Sequence, residues 1–190
     1  MKPETYHENG RNGTGHFKKI KIGFTIPELL VVTGIIILLT ALVAPFWRSG
    51  QQGLALDRAV HKAGQDVRRA QELALRAQAY SCDKGSIYGY GVFFNQASPS
   101  SYILFAECDS ANVGYDQEDD TVVETIQLQN GIEIASVSTG QASIVFVPPA
   151  PLVFLKPGDP SAVQVSFNRT DGAGVPKVLD VSSKGVIDID

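Results

Sequence analysis

Phe24-Thr25-Ile26-Pro27-Glu28 follows Gly23 directly, and Glu28 is the only charged residue between Lys21 and Arg48. From Leu29 to Trp47 the chain carries no charge over 19 positions. A helix of that length, extended back to Phe24, crosses roughly 30 Å of hydrocarbon. A carboxylate inside such a span costs about 2.5–3.5 kcal/mol at its centre and less near the interface, so Glu28 calls for a partner. Cleavage after Gly23 would create one. It would place a new α-amine on Phe24, four residues before Glu28, and that cation in one copy could pair with Glu28 of a neighbour. The plainer alternative is an ordinary signal anchor, or a signal peptide cut beyond the span. Pro45, Phe46 and Trp47 make a poor small-x-small cleavage site.

Two further groups have candidate chemistry. Asp109, Asp116 and Asp120 lie in the stretch Asp109-Ser110-Ala111-Asn112-Val113-Gly114-Tyr115-Asp116-Gln117-Glu118-Asp119-Asp120. Laid on a calcium loop, Asp109 takes position 1, Gly114 position 6 and Asp120 position 12. Positions 3 and 5, which should supply oxygens, are Ala111 and Val113. The stretch reads either as a weak calcium site or as a solvated acidic loop. Cys82 and Cys108 are too few for a zinc site or a disulfide scaffold. Beyond the cytoplasm they either form a bridge or sit apart as small buried hydrophobes.

No catalytic constellation is present. His7 and His16 precede Gly23, His61 falls on a polar helix face, and no Gly-x-Ser-x-Gly elbow or P-loop occurs. The expectation is a protein without enzymatic activity, cofactor or firm metal site.

The elements that position these residues follow from pattern and charge. A mean hydropathy of +0.02 excludes a polytopic membrane protein. Residues 1–23 carry a net charge of +3 and the remainder −7, so the two ends suit different surroundings. Residues 1–17 are polar and read as disordered. Lys18, Lys19 and Lys21 precede the span and only Arg48 closely follows it, which predicts an N-terminus in the cytoplasm and a C-terminus outside. Beyond the span, Leu56, Val60, Ala63, Val67, Ala70, Ala74 and Ala77 recur at alternating steps of four and three and form one apolar stripe. One helix is predicted from about Thr25 to Ala79. Pro45, with Gly50 and Gly53, marks a helix break or kink near Ala41–Gly53, with simple curvature as the alternative.

After Ala79 the period changes to two. Strands are predicted at Ile87–Asn95, Tyr102–Glu107, Val122–Leu128, Ile132–Val137, Ser143–Val147, Val163–Asn168, Lys177–Val181 and Val186–Ile189, with Gly- and Pro-rich turns between them. The predicted fold class is α+β: a long N-terminal transmembrane helix packed against an antiparallel β-sheet domain of two sheets, of which one packs on the alanine stripe. The predicted divisions are a cytoplasmic leader over 1–23, a transmembrane half-helix over 24–48, an amphipathic half over 49–80 and an extracytoplasmic β-rich domain over 81–190.

The run from Gly23 to Val32, behind its lysine cluster, resembles the prepilin peptidase site of type IV pilins and type II secretion pseudopilins. In that family the glycine ends the leader, the following phenylalanine becomes the N-methylated first residue, and the glutamate guides assembly. These roles fall on Gly23, Phe24 and Glu28. The resemblance also implies that the stretch around Gly34 and Pro45 can melt on assembly. Beyond Ala79 it is looser and closest to the GspH/FimT-like minor subunits. It implies a structural subunit of a type IV pilus or a type II secretion pseudopilus. The implied partners are a prepilin peptidase, other pilin or pseudopilin subunits, the membrane and an inner-membrane assembly platform. The alternative is a pilin-like receptor that captures DNA. Phosphate binding needs clustered Lys or Arg. The C-terminal run Gly185-Val186-Ile187-Asp188-Ile189-Asp190 is acidic instead, so nucleic acid is not an expected partner.

Overall fold

The computed structural model describes residues 25–76, 80–82, 86–149 and 152–190, the side chains of 44–50 excepted. Its element order is α1 (Ile26–Leu75) followed by nine strands: β1 (Gly89–Asn95), β2 (Ser101–Glu107), β3 (Thr121–Gln127), β4 (Ile132–Val137), β5 (Gln141–Val147), β6 (Leu152–Lys156), β7 (Ala162–Arg169), β8 (Lys177–Ser182) and β9 (Ile187–Ile189). The fold is α+β. Two compact units, 1–44 and 45–190, meet between Ala44 and Pro45.

Helix α1 opens with the Leu29 amide donating to the Thr25 carbonyl at 3.1 Å. Pro27 sits in the first turn, where its missing N–H is no loss. In the first unit every described apolar side chain of α1 is exposed, from Ile26 to Val43. The hydroxyls of Thr33 and Thr40 donate to carbonyls one turn back, at Leu29 and Ile36. These two hydroxyls are thus satisfied within the helix, as a hydrocarbon solvent requires. The helix continues through Pro45. Proline there forfeits one backbone bond without ending α1, so Pro45 marks the seam between units and not a terminus.

In the second unit α1 buries Leu56, Ala59, Val60, Ala63, Val67, Ala70 and Ala74. This is the predicted stripe with Ala59 added; Ala77 lies outside the described residues. The strands form a five-stranded sheet, ordered β3-β2-β1-β5-β6, and a four-stranded sheet, ordered β4-β7-β8-β9. Every described pairing is antiparallel.

The expectation that one sheet packs on the alanine stripe needs correcting, because α1 meets both. A Cβ on Gly64 would lie 3.0 Å from Ile189 Cδ1 and 3.5 Å from Leu179 Cδ1, so β8 and β9 come up against the helix there. On the other side Asp66, nearly buried, accepts from the Tyr102 hydroxyl of β2 at 2.6 Å and from Lys62 Nζ at 2.9 Å. Burial, then the bond to Asp66, pushes the Tyr102 phenol well above its ordinary range. Small residues at 59, 63, 64, 70 and 74 leave room for both sheets.

The main core lies among helix and sheets. It takes Tyr90, Val92 and Phe94 from β1, Tyr102, Leu104 and Ala106 from β2, and Val163, Val165 and Phe167 from β7. Phe94 meets Phe167 edge-on at 6.4 Å between ring centres, which ties sheet to sheet. Alternate residues of the five-stranded sheet point the other way, and there a second apolar cluster forms around Phe105, Val145 and Val147. Strands covered on both faces read as continuous apolar runs, which is why Val145-Phe146-Val147 shows no polar alternation.

Strand β6 was not expected from the sequence. Its five residues lie between Pro148-Pro149 and Pro157, signals that read as turn. It pairs only with β5, on the sheet edge, where flanking prolines are tolerated.

Gly91, paired with Phe105 across β1 and β2, leaves that ring no spare room. A Cβ there would meet the Phe105 ring at 2.6 and 2.8 Å and the Ile144 carbonyl oxygen at 2.9 Å. The ring cannot swing freely, because Tyr115 packs on it edge-on at 5.2 Å. Gly91→Ala should therefore lower the unfolding free energy by about 1–3 kcal/mol, as overpacking does. Urea titration checks this; an unchanged midpoint would show that the strand yields without cost.

Candidate functional site

The N-terminal candidates divide between described and undescribed residues. Gly23 and Phe24 lie outside the described residues. Glu28 is in the first turn of α1 and is exposed. Unpaired backbone N–H groups give that end of a helix a partial positive charge, which favours an acid there. Behind it, Ile26–Val43 forms an 18-residue stretch with a mean hydropathy of 2.5 and no part of it buried. By length and composition it can cross a membrane. Ile37 is 69% exposed and Leu38 64%, on different sides of the helix, so the apolar surface runs all round. A helix apolar all round is one that other apolar material must cover.

At the far end of the protein's helix, Cys82 and Cys108 are joined in a disulfide with Cα atoms 5.8 Å apart. It fastens the segment after α1 to the end of β2. Thr121 of β3 reinforces the junction, its hydroxyl donating to the Ser81 carbonyl at 3.0 Å.

The acidic stretch that follows Cys108 runs from the end of β2 to the start of β3 with Asp109, Asp116 and Asp120 turned inward on the chain. Its carboxylates face their own backbone. Asp109 Oδ1 accepts from the Ala111 amide at 2.8 Å and Asp116 Oδ1 from Glu118 at 2.9 Å. Asp120 takes the Cys108 amide on Oδ1 at 2.9 Å and the Asp116 amide on Oδ2 at 2.8 Å. Among the described residues no three acids, histidines or cysteines converge as metal ligands. Val113, at the position that would supply a ligand, instead packs with Tyr115 on the second apolar cluster. The segment 108–120 is a cover over the outer face of the five-stranded sheet.

Glu107 lies beneath that cover and was missed in the sequence. It is fully buried, its Oε2 accepting from the Gly114 amide at 2.8 Å and its Oε1 from Asp109 at 3.2 Å. The Asp120 carboxyl, held on the Cys108 amide, lies beside it. Burial, with the Asp120 charge adding to it against the pull of the amide bonds, pushes Glu107 up to about 8. Burial raises Asp120 as well. A signal was present: Ile103 and Phe105 occupy the same strand face as Glu107, so that face is not a solvent face.

Beside the cover lies a cleft of ≈260 Å³ whose walls include Phe93, Tyr115, Asn112, Gln141 and Lys156. The Lys156 ammonium is engaged with Asp159 at 2.9 Å. Phe93 and Tyr115 stack at 4.9 Å between ring centres. No family model, curated protein or solved structure matches the chain.

Proposed function

We propose that this chain is a structural subunit, of the minor pilin or pseudopilin kind, of a type IV pilus or type II secretion pseudopilus. The observation that carries the reading is the apolar helix Ile26–Val43, unburied over its whole length, with the carboxylate of Glu28 in its first turn. Such a stretch needs a lipid partner before assembly and a protein partner after it. In the N-in, C-out orientation given by Lys18, Lys19 and Lys21, a prepilin peptidase on the cytoplasmic side meets the Gly23–Phe24 bond. Cleavage frees the Phe24 amine, which is then N-methylated. Subunits pack through the 24–42 segment, with Glu28 of one copy against the terminal amine of the next. An ATP-driven assembly platform in the inner membrane moves them out of the bilayer, and the β-rich domain supplies the filament surface.

N-terminal sequencing of the membrane-extracted protein tests the reading. The expected first residue is a methylated Phe24. An intact leader, or a new end at any other residue, would leave an anchored β-rich ectodomain and remove the filament function.

A further inference from the structure

We infer that Glu107 and Asp120 form a proton-dependent latch that holds the 108–120 cover, and with it one wall of the cleft, on the outer face of the five-stranded sheet. The inference stands on this ectodomain alone and does not depend on how the N-terminal helix is processed.

The geometry is that of a clasp. Glu107 belongs to the sheet, at the end of β2, and both of its oxygens take amides from the cover, at Asp109 and Gly114. Asp120 closes the far end of the cover and ties it to Cys108 and Asp116. Asp120, held on the amide of Cys108 next to Glu107, brings a second carboxyl beside the buried one, and two neighbouring carboxyls are most comfortable when a proton neutralises one of them. The disulfide fixes one end of the cover at Cys108, leaving 109–119 to move.

Among the described residues the surroundings supply no opposing charge. From the cover itself, Asp116 adds a like charge beside Asp120, and Asp109 is turned onto Ala111. The Tyr115 phenol is raised by burial, then by Asp120 and Asp116, and stays neutral. From β5 comes the Ser143 hydroxyl, which accepts the Tyr115 amide at 3.0 Å. From β6 comes Lys156, committed to Asp159. From β3 comes Thr121, and from β1 and β5 the apolar Phe93, Val145 and Val147. Among the described residues no Lys, Arg or His is bonded to either carboxyl. Asp83 and Lys84 lie outside them.

The sign follows from linkage. Closed, Glu107 keeps its proton up to about 8; opened to water, it loses it near 4.3–4.5. The closed form is therefore fully favoured below the lower value. Each pH unit above it favours opening about tenfold, until the closed form also ionises. The latch is tight in mild acid and slack by pH 8.

Hydrogen exchange on the full-length chain in detergent, read by mass spectrometry at pH 5 to 9 and corrected for intrinsic rates, tests the latch. Protection of the Gly114 and Asp116 amides should fall by at least tenfold between pH 5 and pH 8 and level off above, while Ile144 in β5 keeps its protection. Glu107→Gln retains an uncharged acceptor and should hold the cover at constant protection across the range. Asp120→Asn removes the neighbouring charge and should shrink the fall. A flat profile in the unmodified chain overturns the inference, as does a fall of equal size in Glu107→Gln. If Glu107→Gln does not fold, the unmodified chain and Asp120→Asn decide the matter.

Discussion

Glu28→Val should abolish incorporation into filaments while leaving cleavage after Gly23 intact. Cleavage depends on the bond and its immediate neighbours, whereas the carboxylate acts after it. In the assembled state proposed above, each Phe24 amine is withdrawn from water among apolar helices. Removing the acid leaves that cation without a counter-charge, a loss of about 3–5 kcal/mol per contact. That is a factor of roughly 10²–10³ or more in each association step, repeated at every subunit. The helix itself should survive, since Val adds apolar surface to a stretch already exposed throughout. The measurement is paired: mass of the membrane-bound protein for processing, and its recovery in sheared filaments for assembly. Normal recovery of Glu28→Val in filaments would show that the acid has no pairing role. A Glu28→Asp variant places the same charge one methylene short and should recover part of the loss.

Breaking the Cys82–Cys108 bond should produce a large loss of stability in the unit 45–190. The bridge spans a sequence separation of 26, and closing a loop of that size removes unfolded-state entropy worth about 3.5 kcal/mol. For a domain of this size the melting temperature should drop by about 7–14 °C. Cys108 is buried, so the double Cys→Ser variant also exchanges a sulfur for a hydroxyl in an apolar setting. Thermal melts with and without reductant isolate the bond from that side effect. Superimposed melts would mean that the Thr121–Ser81 contact and the Asp120 bonds hold the junction unaided.

Much of this architecture is legible in the residues, for identifiable reasons. The stripe from Leu56 to Ala74 could be read because helix period and burial coincide there, with few exposed apolar residues to blur it. Strands such as Ile132–Val137 were bounded by Asn-Gly and Thr-Gly turns, whose positive φ at Gly131 and Gly140 terminates strands cleanly. Strand β6 was hidden because its prolines carry the same message at a sheet edge as in a loop. The cover over the sheet was hidden for a different reason. Asp-rich composition signals solvent, yet these carboxylates cap backbone amides, and the loop's two apolar residues, Val113 and Tyr115, do the packing. Glu107 escaped notice because a strand-ending acid is usually a solvated one; only the nonlocal pairing of β2 with β1 and the fold-back of Gly114 bury it. The role proposed for Glu28 involves a second copy of the chain, and in a single copy its carboxylate stands exposed.

Strand β9 seats Ile189 and Ile187 against α1 at Gly64, so that side of the helix is completed by a segment far along the chain. Until β8 and β9 emerge, that side of α1 lacks Leu179, Ile187 and Ile189 as neighbours. A nascent chain in this condition presents a narrow, flat, sticky strip for as long as elongation lasts. Holding chaperones, or a sister chain emerging nearby, would find it before β9 does. The contact between α1 and β9 thus links distant parts of the sequence and forms only after residues 187–189 have been made.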